Sequence, residues 1–192
     1  MLEESLFNTF RDIGEDMSLS GLFSSPAGHL SVLRGDRIYI TRRAAILMHL
    51  KPSDIIEGDL KEKDDSFLEA PSEVSLHKAI YLRAGGLAII HAQPPHATLL
   101  SMVEDELVPL DWEGSHILER VPIVALEGPL DSERGARAVS EHLKDHKIIL
   151  VRGHGSFARG DGLEEAFMFT SSLESSAFFL SHLKRRAGLP QE

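Results

Sequence analysis

The stretch LAIIHAQPPHATLL, residues 87–100, is the one whose reading decides the fold. Leu87, Ala88, Ile89 and Ile90 form an apolar run that ends at His91, and Pro94-Pro95 follow at once. A short apolar run closed by a turn signal reads as a buried strand. Proline is tolerated in the first turn of a helix, where its missing N–H would have had no partner, so PPHATLLSMVED (94–105) reads as the helix that follows. Successive strand residues point to opposite faces, so His91 and Gln93 face the same way if the strand continues. His96 lies past the prolines and belongs to the helix.

Strands and helices mix in the same way on either side. Leu6, Phe7, Phe10 and Ile13 share one side of a first helix. GLFSSPAGHLSVL (21–33) reads as a loop and a short alternating strand, and RIYIT (37–41) as the strand that returns after the tight turn Arg34-Gly35-Asp36, the two forming a hairpin. HLKPSDIIEGDL (49–60) reads as a short helix or turn and an edge strand, and KEKDDS (61–66) as a charged turn. SEVSLHKAIYLRAGG (72–86) is a helix capped by Ser72, with Val74, His77, Ile80 and Tyr81 on one face and Gly85-Gly86 as its stop. VPIVAL (121–126) is a strand and 131–146 a helix capped by Asp131. KIILVRGHGSF (147–157) is a buried strand running into a Gly-rich turn, and 161–186 is a long helix whose basic end, Lys184-Arg185-Arg186, suits the negative pole of its dipole. Together these give an α/β fold, a sheet covered by helices.

Composition narrows the function classes. The 192 residues are the length of one domain, 1–192, and contain no repeat. A formal charge of −10 argues against a general nucleic-acid binder or an anionic-membrane surface, both of which need clustered Lys and Arg. There is no cysteine, so a metal would have to be held by His, Asp, Glu or an amide oxygen. The N-terminal segment is acidic with a helical period, and no run approaches the roughly 20 apolar residues of a membrane span. The expectation is a cytoplasmic protein acting on a small molecule.

Two histidines stand at the ends of buried strands, His91 after LAII and His154 after IILV, where polar side chains of α/β folds converge on ligands. Glycines flank His154 and permit close approach. Glu73 lies in the first turn of its helix, where a carboxylate is favoured by the dipole; an ordinary first-turn acid has the same position.

In this order and spacing, the segments AGHLSVLRGDRIYIT (27–41), 71–101 and 149–177 resemble the class II aldolase/adducin family over nearly the whole chain. The resemblance implies a three-layer α/β/α domain with a central mixed, largely antiparallel sheet. It implies a divalent metal, zinc above all, held at the positions of His91, Gln93 and His154, with Glu73 as acid/base. It implies a substrate phosphate held at Gly28, His29, Thr41, Arg42 and Ser72. It also implies a homotetramer, and a lyase that cleaves a carbon–carbon bond of a sugar-like hydroxy-carbonyl compound through an enediolate.

The departures from that pattern fall on the site itself. Gln93 stands at a position where the family has histidine; its amide oxygen is neutral and harder than imidazole, which weakens zinc and admits Mn²⁺, Co²⁺ or Mg²⁺. His29 replaces an asparagine, Ala44 a glycine, and Pro71 a serine. Retained His91, His154 and Glu73 favour an enzyme. The altered positions favour a non-catalytic, adducin-like oligomerising member or a ligand-binding protein.

Overall fold

A computed structural model describes residues 2–23, 28–61 and 65–186. The loop at 24–27 and the centre of the charged turn, 62–64, lie outside them, as do the side chains of 184–186. The described residues form one eight-stranded sheet in the order β3-β2-β1-β4-β8-β7-β6-β5. Its strands are β1 (His29–Arg34), β2 (Arg37–Thr41), β3 (Ile55–Asp59), β4 (Ala88–Ala92), β5 (Glu106–Leu107), β6 (Val121–Val124), β7 (Ile148–Val151) and β8 (Gly155–Gly160). Only the β6–β7 pair is parallel; the other pairings are antiparallel.

Helices cover both faces. On one side α1 (Glu4–Leu19), α3 (Pro95–Ser101), α4 (Trp112–Ile117) and α6 (Leu163–Arg186) gather; on the other lie α2 (Val74–Arg83) and α5 (Glu133–Asp145). Alternate residues of the central strands feed the two cores. Leu30, Ile90, Leu150 and Ala158 pack with Phe10, Leu100 and Phe169, while Ile38, Ile89, Ile149 and Phe157 pack with Leu76, Ile80 and Val139. Every residue of β4 is buried, which is why its sequence runs apolar without alternation. This is the three-layer α/β/α fold expected, with a mixed and mostly antiparallel sheet.

Several local expectations are corrected. The Gly-rich segment after β7 is a hairpin that returns as a further strand, β8, pairing with both β7 and β4. Gly153 (φ 67°) and Gly155 (φ 146°) make the reversal possible. Ser72 is not the cap of α2, since its hydroxyl donates to the Glu73 carboxylate at 2.9 Å. Helix α5 is capped by Ser132, whose hydroxyl accepts from the Gly135 N–H, and not by Asp131.

Helix α3 carries the chain away from β4, and its open N-terminus is closed from outside. Pro94 has no side-chain cap to offer, and the Glu174 carboxylate of α6 accepts from the N–H groups of His96 and Ala97 at 3.1 Å and from His96 Nδ1 at 2.7 Å. His96 is thus tied to α6. Glu174→Ala leaves these donors unpaired and is expected to cost about 2–4 kcal/mol, as for loss of hydrogen bonds to a charged, mostly buried group. An unchanged urea midpoint would show that α3 is held by apolar packing alone.

Candidate functional site

Strands β1, β4 and β8 lie side by side, and their registers set three rings in a row: His29 opposite His91, and His91 opposite Phe157. The ring centres are 5.3 Å apart for His29–His91 and 4.4 Å for His91–Phe157. His154, in the turn between β7 and β8, brings its ring to 4.8 Å from His91 and 6.3 Å from Phe157. These separations make nearly a right angle at His91, so Phe157 and His154 do not lie on opposite faces of it.

His91 is buried, and its Nδ1 lies 3.0 Å from the Ser156 carbonyl. A carbonyl only accepts, so Nδ1 carries the proton and donates, and Nε2 of the neutral ring keeps the lone pair. Burial holds His91 well below the ordinary histidine pKa, and His29 and His154 add to the lowering. Burial also lowers His29 and His154, while the Glu73 carboxylate pulls both upward. Glu73, the residue preceding α2, therefore acts electrostatically on both rings.

Beneath His29 lies a polar group formed by β1 and α2. Ser31 Oγ meets His77 Nδ1 and Tyr81 Oη, each at 2.7 Å, and all three residues are buried. The His77 ring centre is 6.3 Å from that of His29. Complete burial pushes His77 down to about 3. Three ring nitrogens here are buried without a hydrogen-bond partner: His29 Nδ1, His77 Nε2 and His154 Nε2. Such groups are costly when left unpaired.

The remaining expected positions are distributed differently. Gln93 follows the last residue of β4; its N–H donates to the Leu22 carbonyl, and its side chain lies against Gly155, where an added Cβ would come within 3.1 Å of Gln93 Cγ. Gly28 (φ 109°) packs its backbone against the His91 carbonyl. Thr41 is buried, with its hydroxyl accepting from the Leu30 N–H. The Arg42 guanidinium pairs with Asp54 at 2.7 Å, and that of Arg43 donates to the Ala70 carbonyl. Ala44 takes the left-handed φ of 59° that glycine favours. Ser72 is exposed beside Glu73. A cleft of about 330 Å³, lined by Leu126, Gly128, Arg152 and His154 among others, opens at the ends of β6 and β7.

Sequence reasoning misses Tyr81 and Phe157 as site residues, reads His77 only as part of a helix face, and reaches Ser31 only through the family resemblance, as a phosphate-side position, whereas its hydroxyl meets His77 and Tyr81. Two signals point to this group: the i, i+2 spacing of His29 and Ser31 on one strand face, and the i, i+4 spacing of His77 and Tyr81 on one helix face.

The fold and this histidine-lined site define a class II aldolase-type domain. The chain belongs to the family described as the class II aldolase and adducin N-terminal domain, whose pattern matches residues 8–180. It is 32% identical over 155 residues to an L-fuculose phosphate aldolase of Methanocaldococcus jannaschii, covering 78% of this chain and 81% of the relative. It is 31% identical over 177 residues to a methylthioribulose-1-phosphate dehydratase of Acidiphilium cryptum, covering 84% and 83%. The crystal structure of L-fuculose-1-phosphate aldolase from Thermus thermophilus superposes with a TM-score of 0.91 at 34% identity, covering 99% of this chain and all of that one. With these relatives, the chain is an enzyme of the lyase type. Among the described residues, no helix is long and apolar enough to cross a membrane.

The donors fit a divalent ion in kind: neutral imidazoles, two of them with unpaired buried nitrogens, beside a carboxylate. As the rings stand, the planes of His91 and His154 are 12° from parallel. Among the described residues, no group of three or more His, Asp or Glu is arranged to hold an ion. Binding therefore requires the rings to turn.

Proposed function

We propose that the protein is a divalent-metal-dependent lyase that cleaves a carbon–carbon bond in a small, phosphorylated, sugar-like hydroxy-carbonyl compound. The observation that carries this reading is the gathering of three half-buried or buried, low-pKa imidazoles, two of them within the field of Glu73. His91 and His154 would hold the ion, with zinc first and Mn²⁺, Co²⁺ or Mg²⁺ as alternatives. When bound, the ion supplies Lewis-acid stabilisation of negative charge on the substrate's oxygens.

The chain's own residues do the rest. Neutral imidazoles keep their lone pairs at pH 7. Glu73 takes the proton of the substrate hydroxyl as the carbon–carbon bond breaks, and returns a proton to the carbon left with the bonding pair. Phe157 covers His91 and excludes water from its ring. The backbone at Gly28 and the hydroxyl of Ser72 are the phosphate-side groups, with Thr41 and Arg42 bracing the end of β2 behind them. A homo-oligomer, a tetramer by family, accompanies this reading, and the exposed Val103, Leu110 and Trp112 support it as apolar surface for a second copy.

Metal-free protein, purified without an affinity tag, is reconstituted with Zn²⁺, Mn²⁺, Co²⁺ or Mg²⁺ and incubated with a panel of ketose 1-phosphates. Release of an aldehyde is expected, and removed by chelator. The dehydratase relative favours a second reading, in which the same carboxylate removes a proton beside the carbonyl and water departs; intact-mass loss of water without aldehyde selects it. A folded protein that produces neither outcome with any ion is the non-catalytic adducin-like alternative.

A further inference from the structure

We infer that His29, and not Gln93, supplies the third donor of the metal site, giving a His29–His91–His154 set. This rests on the metal-dependent reading above and names the residues that would serve it.

The expectation for Gln93 depends on β4 continuing, so that residues 91 and 93 point the same way. The strand ends at Ala92. Beyond it the Gln93 N–H leaves the sheet ladder for the Leu22 carbonyl, and Pro94 follows. The alternation that would aim both side chains at one ion stops one residue short.

Position 29 has what position 93 lacks. It lies directly across from His91 in the β1–β4 ladder, where facing side chains are neighbours by construction. Its ring centre is 5.3 Å from that of His91, which is itself 4.8 Å from that of His154. His29 Nδ1 and His154 Nε2 are both buried and unpartnered, and the Glu73 carboxylate acts on both rings. His91 completes the set with its Nδ1 committed to the Ser156 carbonyl and Nε2 left to bind. An imidazole is also the better zinc donor than a neutral amide. His77, fixed at Nδ1 by Ser31, packs edge-on beneath His29 with ring centres 6.3 Å apart.

The test uses tag-free apo protein and Zn²⁺ affinity measured by chelator competition, with the visible absorption of bound Co²⁺ as a second readout. Three proteins are compared: the natural chain, His29→Asn and Gln93→Ala, with thermal melts showing that each is folded; His29→Gln serves if His29→Asn is not. His29→Asn is expected to lower Zn²⁺ affinity by about two orders of magnitude or more and to change the Co²⁺ spectrum, with Gln93→Ala within about threefold of the natural chain. Retained affinity in His29→Asn, or an equal loss in Gln93→Ala, overturns the assignment while leaving the metal reading intact. A natural chain that takes up neither ion overturns both.

Discussion

Glu73→Gln is expected to lower turnover by about 10²–10⁴-fold, the range for removing a positioned acid/base. The substitution is isosteric, and the Ser72 hydroxyl that donates to Glu73 at 2.9 Å finds an amide oxygen in the same place. No cap is lost, because the Glu73 side chain makes no capping hydrogen bond to α2. Stability should therefore change little, which separates a chemical role from that of an ordinary helix-terminal acid. The loss should fall on kcat with KM nearly constant, as for an interaction made in the transition state. A second readout is independent of turnover. Glu73 raises the pKa of His29 and of His154 against the effect of burial, so both should titrate lower in the variant when followed by NMR. A decrease in kcat of less than tenfold with aldol or dehydratase substrate would remove Glu73 from the chemistry.

Strands β1 to β4, β6 and β7 and most helices were legible because their signals are local. The apolar run ending at His91, the hairpin about Gly35 and the amphipathic period of α1 each state their element within a few residues. Strand β8 was hidden because GSFARG has glycine at both ends and Phe157 as its one large apolar residue, so its burial comes from β4 and β7, not from its own pattern. The two residues of β5 and six of α4 are too short for any period to show. The candidate site divides along the same line. His91, His154 and Glu73 were legible as ends of elements. The proximity of His29 to His91 comes from the β1–β4 pairing, and the Ser31–His77–Tyr81 group from α2 lying across β1. Arg42 looked available as an anion-binding side chain, but Asp54, brought in by the following turn, engages it.

Lowering the pH is expected to unfold the metal-free protein well before its carboxylates titrate. Four histidines at the site have folded-state pKa values below the ordinary value of 6.5, chiefly through burial, with His77 at about 3 and His91 well below normal. Below pH 6.5 the unfolded chain binds protons that the native state refuses, so stability is fully present above that value and is lost as pH falls toward the folded-state pKa. For His77 alone the loss is about 1.4 kcal/mol per pH unit across the window from 6.5 to about 3. His91, held well below the ordinary value chiefly by burial, adds to the loss in the same direction. Summed over two pH units these losses are comparable with the whole net stability of an ordinary domain, about 5–15 kcal/mol. Asp54 acts in the same direction but lower. Burial would raise its pKa, yet the hydrogen bonds from Arg42 and the Lys51 N–H hold it below the carboxylate value, so its contribution disappears only in stronger acid. Urea midpoints of chelator-treated protein between pH 7.5 and 5 should fall steadily, with a slope of more than one proton. His77→Phe, which replaces the buried ring and removes its titration, should reduce that slope by one. A flat profile down to pH 5.5 would mean that the histidine cluster opens to water without unfolding the sheet around it.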